Sequence, residues 1–163
     1  MKSPIVLLTT NQPQAEIILQ SLASLHILHC RSVAEAREVC ANRAVALLLI
    51  VAEPSLNGQA IFAELSQLQP GLAGVLLIPG QSDAVVLQGA LEAGFSGLVE
   101  LPYAPEALAG VVQQALKRYQ LQWENARLRT LIPLYSLGER FFSATGEQAL
   151  LDDLVAAVEE QTG

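Results

Sequence analysis

The side chains best suited to metal binding or nucleophilic chemistry are the two histidines, His26 and His29, and the two cysteines, Cys30 and Cys40. On an extended strand His26 and His29 point to opposite faces, and neither the histidine nor the cysteine spacing matches a zinc site. No metal centre is expected from them. The paired acids Asp152-Asp153 and Glu159-Glu160 are neighbours in a helical pattern, so they diverge around the axis and read as solvated faces rather than an acid/base pair. The chain carries no Gly-rich phosphate loop, no nucleophile elbow and no Cys/His nucleophile arrangement. These absences argue against an enzyme and against a bound cofactor. Glu53 and Asp83 stand just past the ends of apolar runs and are expected to be surface carboxylates.

The elements that would position any site are marked by alternation. Residues 5–9 (IVLLT), 27–30 (ILHC), 45–51 (VALLLIV), 75–78 (VLLI) and 98–101 (LVEL) are short and almost continuously apolar, as strands of a parallel sheet covered on both faces must be. Helical stretches lie between them. Pro13 falls in the first turn of a helix to about Ser24, with Ala15, Ile18, Leu19 and Leu22 on one stripe. Ser32 and Glu35 form a capping box, and residues 58–68 place Ile61, Phe62 and Leu65 together before Pro70-Gly71. A helix over 83–93 ends at Gly94, and Pro105 opens a fifth with Leu108, Val112, Ala115 and Leu116 on one side. This rhythm predicts an α/β domain with a doubly wound five-stranded parallel sheet over residues 1–119, followed by a helical C-terminal extension over 120–163. In such a domain the chemistry belongs at the carboxyl ends of the strands.

Composition bounds the function further. Of 163 residues 52% are hydrophobic and 15% charged, enough apolar surface for a packed core. The balance of 9 Lys+Arg against 16 Asp+Glu, net −7, has the wrong sign for gripping a phosphate backbone, so nucleic acid is not expected as a direct partner. No run reaches the ~18 apolar residues of a membrane span, and the opening MKSPIVLLTTN lacks a secretory h-region. A cytoplasmic protein with reduced thiols is expected.

Two segments, EPSLNG (residues 53–58) and ALEAGFSGLVELPYAPEAL (residues 90–108), together with the βα rhythm, resemble the receiver domain of two-component response regulators. The resemblance covers roughly the first 120 residues and implies a flavodoxin-like receiver fold. It also implies a phosphorelay: an aspartate at the end of strand three accepts a phosphoryl group, acids after strand one hold Mg²⁺, and a hydroxyl and a lysine steady the charge. Mapped onto this chain, the acceptor falls on Ile50, the acidic pair on Thr9 and Thr10, the hydroxyl on Pro79 and the lysine on Leu101, with Leu98 at the aromatic switch position. An isoleucine takes no phosphoryl group, so the resemblance is to a degenerate receiver, a pseudo-receiver whose scaffold and interaction surfaces remain.

From Leu108 the helical pattern runs on through ALKRYQLQWENARLRTLI to Pro133. Leu121, Leu128, Ile132 and Tyr135 fall at a 3-4 rhythm with Asn125 between them, where a buried polar residue fixes register in a two-stranded coil. With the large apolar Trp123 nearby, this predicts a parallel homodimer with its seam between Leu121 and Tyr135. Thr145 and Gln148 form another capping box ahead of Leu150, Leu151, Leu154, Val155 and Val158. That segment resembles the opening helices of GAF domains, without the sheet such a domain needs. The sequence thus reads as a piece of a longer signalling protein.

Between Leu72 and Val99 the only charges are Asp83 and Glu92, and the fourth helix is apolar nearly all round. The receiver resemblance implies partner contacts on this side, through Val85, Leu87, Tyr103 and Leu116. The function expected is a receiver-like signal-transduction module that acts by contact with a second copy, another signalling protein or a downstream domain, relaying through its last helix. The alternative is a small-molecule sensor using the vacated pocket. A phosphotransfer-competent regulator using Glu53 or Asp83 is the third.

Overall fold

In the computed structural model residues 3–80 and 82–129 are described. The apolar runs become strands that bury side chains on both faces. The order is β1 (Ile5–Leu8), α1 (Gln12–Ser21), β2 (Ile27–Cys30), α2 (Val33–Asn42), β3 (Leu47–Val51), α3 (Gly58–Leu68), β4 (Ala73–Pro79), α4 (Ala84–Glu92) and β5 (Gly97–Leu101). Residues 105–129 are helical and form α5. The strands lie in the order β2-β1-β3-β4-β5, every pair parallel.

Strand alternation splits the core in two. Val6, Leu8, Leu48, Ile50, Leu76 and Ile78 meet Ala36 and Cys40 of α2, Ile61, Phe62 and Leu65 of α3 and Ala90 of α4. Leu7, Leu47, Leu49, Val51, Val75 and Leu77 meet Ala15, Ile18 and Leu22 on the α1 side and Leu108, Val112 and Ala115 of α5. This is the doubly wound arrangement, with α1 and α5 on one face and α2, α3 and α4 on the other.

Local chemistry sets the helix starts. Asn11 Oδ1 accepts from the Gln14 N–H at 3.2 Å, Ser32 Oγ from Glu35 at 3.2 Å, and Asn57 Oδ1 from Ala60 at 3.1 Å, each satisfying an orphan donor of a first turn. The Glu35 carboxylate reaches back to the Arg31 N–H (2.7 Å), one residue beyond the usual capping-box partner. Several boundaries shift from expectation by one to three residues, and two of the shifts have a clear local cause. The first helix ends at Ser21, where the Leu22 N–H still bonds Ile18 O (3.1 Å) but its own φ of −117° has left the helix. The fourth strand begins at Ala73, because Ala73 and Gly74 pair with Leu47 and Leu48 although neither carries a large apolar side chain. Glycine is required at 74, since a Cβ there would lie 2.4 Å from the Phe62 ring, which stacks on Phe95 with centroids 4.4 Å apart.

The chain divides into two compact units, Met1–Gln122 and Trp123–Gly163. The seam positions Ile132 and Tyr135, the Thr145/Gln148 capping box and the helix carrying Leu150 to Val158 lie outside the described residues.

Candidate functional site

Register brings the strand ends to one edge of the sheet: Leu8 pairs with Ile50, Ile50 with Leu76, and Pro79 with Leu101. Just beyond them lie the positions singled out from sequence, and the structure divides them. Ile50 is fully buried. It belongs to the core under α3, where a Cβ on Gly58 would come within 3.3 Å of Ile50 Cγ2 and 3.0 Å of Leu76 Cδ1. Pro79 is exposed, and its carbonyl oxygen accepts from Ser82 Oγ at 2.6 Å. Leu101 is half-buried against the α1/α5 side of the core, and its carbonyl oxygen accepts from the Gly80 N–H at 2.8 Å. The Leu101–Pro102 peptide is cis.

Thr9 and Thr10 have a partner that counting along the sequence does not reveal. Both hydroxyls donate to Glu53, Thr9 Oγ1 to Oε1 and Thr10 Oγ1 to Oε2, and the Thr10 N–H donates to Oε1 at 3.0 Å. The fully buried Thr9 Oγ1 also accepts from the Asn11 N–H at 3.1 Å. Glu53 is partly buried, a carboxylate at the surface that these bonds tie down. The pairing of β1 with β3, which runs to Leu8 opposite Ile50, sets the residues after the two strands side by side; beyond Glu53 the chain turns, the Leu56 N–H bonding Glu53 O at 2.9 Å with Pro54 at the second turn position. Asp83, by contrast, stands at the start of α4 with no side-chain capping bond and is exposed.

Burial opposes the Glu53 charge, but hydrogen bonds from the Thr10 and Thr9 hydroxyls and from the Thr10 and Asn11 backbone outweigh it and hold the carboxyl below its ordinary 4.5. Glu53 is therefore an anion at neutral pH whose lone pairs are largely engaged inside the protein. The Mg²⁺ implied by the receiver resemblance does not fit these residues. Neutral threonines stand in place of the acidic pair, both oxygens of the one carboxylate already accept hydroxyl donors, and among the described residues no three His, Cys, Asp or Glu gather into a metal-binding group.

A cavity of about 490 Å³ lies elsewhere, between β2 and α2, lined by Leu28, His29, Cys30, Glu35, Val39 and Arg43 among others. Burial, reinforced by Glu35 and Cys40, pushes the Cys30 thiol up to about 11, and burial raises Cys40 as well. Both cysteines are free, and both are protonated thiols at neutral pH, poor nucleophiles and poor metal ligands.

The expected interaction residues also separate. Val85 is 78% exposed on α4, and Leu91, which sequence reasoning missed, is 65% exposed. Leu87 is half-buried on the α2/α3/α4 side of the core, and Tyr103 and Leu116 pack half-buried on the α1/α5 side. Leu121, Trp123 and Leu128 are each more than half exposed, Asn125 is exposed, and the Arg127 guanidinium lies over the Trp123 ring, 5.9 Å from its centroid.

No protein-family model matches the sequence, and no curated protein matches it. Solved structures do. The signal receiver domain of an HD domain-containing protein from Pseudomonas fluorescens Pf-5 is 23% identical with a TM-score of 0.68, over 76% of this chain and 93% of that one. A CheY-like response regulator receiver domain protein from Methanospirillum hungatei is 16% identical with a TM-score of 0.67, over 75% of this chain and 99% of that one. An adenylate cyclase structure from Rhodopirellula baltica is 14% identical with a TM-score of 0.72, over 80% and 98%. The protein thus has the CheY-like receiver fold, a five-stranded parallel α/β sheet of the flavodoxin type with a C-terminal helix. Among the described residues no helix is long and apolar enough to cross a membrane.

Proposed function

We propose that the protein is a two-component-type signalling module, a receiver without phosphoryl acceptance, that works by protein contact and dimerisation. Its residues 105–129 and the chain after them relay to a downstream domain or signalling partner in the cytoplasm. The observation that carries this reading is Ile50: the acceptor position holds a fully buried isoleucine inside the core. The three hydrogen bonds that tie Glu53 to Thr9 and Thr10 support it, because they close the adjacent loops without an ion and engage the Glu53 carboxylate. Neither an enzymatic reaction nor a cofactor enters this function. Output passes through exposed apolar side chains, Val85 on α4 and Leu121 and Leu128 on α5, with a parallel homodimer seam between Leu121 and Tyr135. Incubation with acetyl phosphate or phosphoramidate and Mg²⁺ tests the reading: the intact mass should stay unchanged. An adduct of one phosphoryl group, lost on hydroxylamine treatment, would overturn it.

A further inference from the structure

The outer part of α5 carries charge in a pattern that specifies how two copies meet. At ~100° per residue, Asn125 and Leu128 form one stripe, and Glu124 and Arg129 flank its midline at about 70° on either side. Trp123 lies about 170° from that midline, on the opposite side of the helix. There Arg127 covers its ring, so Trp123 belongs to the outer face rather than to the seam. Glu124, Asn125, Leu128 and Arg129 are all exposed, and Leu128 retains 59% of its surface. Within one chain Glu124 and Arg129 stand on opposite flanks, and the nearer cation, Arg127, is over the indole. Among the described residues the one ion pair is Arg37 with Glu64, which leaves Glu124 and Arg129 without one.

We infer that α5 docks on α5 of a second copy, parallel and in register, with Glu124 paired to the partner's Arg129 on each side of the seam. This rests on the dimer reading above and adds the residues that set its orientation. In a parallel pair the opposite flanks of the two helices face each other, so each Glu124 meets an arginine and two ion pairs form per dimer. In an antiparallel pair like flanks meet, glutamate with glutamate and arginine with arginine, and both contacts repel. Asn125 on the stripe adds a second register signal, since a polar residue at such a position is satisfied only opposite its own copy.

Sedimentation equilibrium of the full chain at low salt, with helicity followed by circular dichroism, tests this in the wild type, Glu124→Arg, Arg129→Glu and the double variant. Each single variant should weaken the dimer about tenfold, from two lost attractions and two added repulsions, and the double variant should restore it to within about twofold. In Arg129→Lys, carbodiimide should join Glu124 to the partner's Lys side chain at 129, identified as inter-chain by mixing isotope-labelled and unlabelled protein. A wild type that stays monomeric overturns the dimer reading and this inference together. A dimer that ignores the single reversals, is not restored in the double variant, or gives no cross-link at this pair leaves the dimer reading standing and overturns the inference.

Discussion

At the carboxyl end of the sheet, the polar groups around Glu53 are turned inward onto one another, whereas residues 121–129 leave Leu121, Trp123 and Leu128 more than half exposed to water. The first region is closed on itself by packing and hydrogen bonds. Ile50 fills its position at the end of β3 with packing, and two hydroxyls and a backbone N–H hold the Glu53 carboxylate in its charged form. Polar groups satisfied in this way stabilise one arrangement of the loops and offer little to a ligand. The second region has the opposite economy: apolar side chains flanked by complementary charges are stable in water only at some cost, and a partner removes it. On the function proposed above, the contrast is that of a fold without the input of a switch but with an output surface.

The strongest way to break the first half of this comparison is Ile50→Asp. It restores the acceptor type but places a carboxyl among Leu76, Leu48 and the start of α3, so we expect a loss of about 4 kcal/mol of stability in urea denaturation from lost packing and buried polarity combined. A variant that unfolds at the wild-type midpoint would show that Ile50 is not the core residue it is taken to be.

Leu128→Asp addresses the second half. A charge on the seam stripe should weaken the dimer by roughly a hundredfold in sedimentation, since each copy loses its apolar contact and gains a repelling neighbour. The domain's unfolding midpoint should hardly move. Unchanged mass and helicity would leave α5 without a role in assembly.

Glu53→Gln is expected to cost about 1 kcal/mol at neutral pH, a charge-assisted hydrogen-bond network discounted for its partial exposure. The pH dependence has a definite sign. Because the folded carboxyl is held below its ordinary 4.5, its contribution is complete above that value and is lost as the pH falls through the lowered one. The gap between wild type and Glu53→Gln should therefore be constant from pH 6 upward, on the scale of about 1 kcal/mol, and close in acid. A gap that widens in acid would contradict the tie. The smallest expected effect is that of Mg²⁺, which at millimolar concentration should move the melting temperature by less than about 1 °C, as a ligand without a native site must.

Much of the fold was legible because both faces of the sheet are covered. Continuous apolar runs such as those around Leu47–Val51 and Val75–Ile78 have few other destinations, and the caps at Ser32 and Gly94 are local chemistry read directly from residue type. Boundaries slipped where the strand side chains are small, as at Ala73 and Gly74, since pairing there is made by backbone groups that every residue carries. The site was half legible. That Ile50, Thr9, Thr10, Pro79 and Leu101 are unsuited to phosphoryl transfer follows from their side chains alone. That Glu53 belongs with Thr9 and Thr10 depends on β1 and β3 being neighbours in the sheet with Leu8 opposite Ile50, and linear spacing carries no record of that pairing.

The central claim, a receiver fold whose assembly is independent of phosphorylation, is tested most directly by sedimentation equilibrium of the full wild-type chain with and without phosphoramidate and Mg²⁺. We predict the same monomer–dimer equilibrium in both. A dimer that forms or dissolves only when the phosphodonor is present would contradict the account.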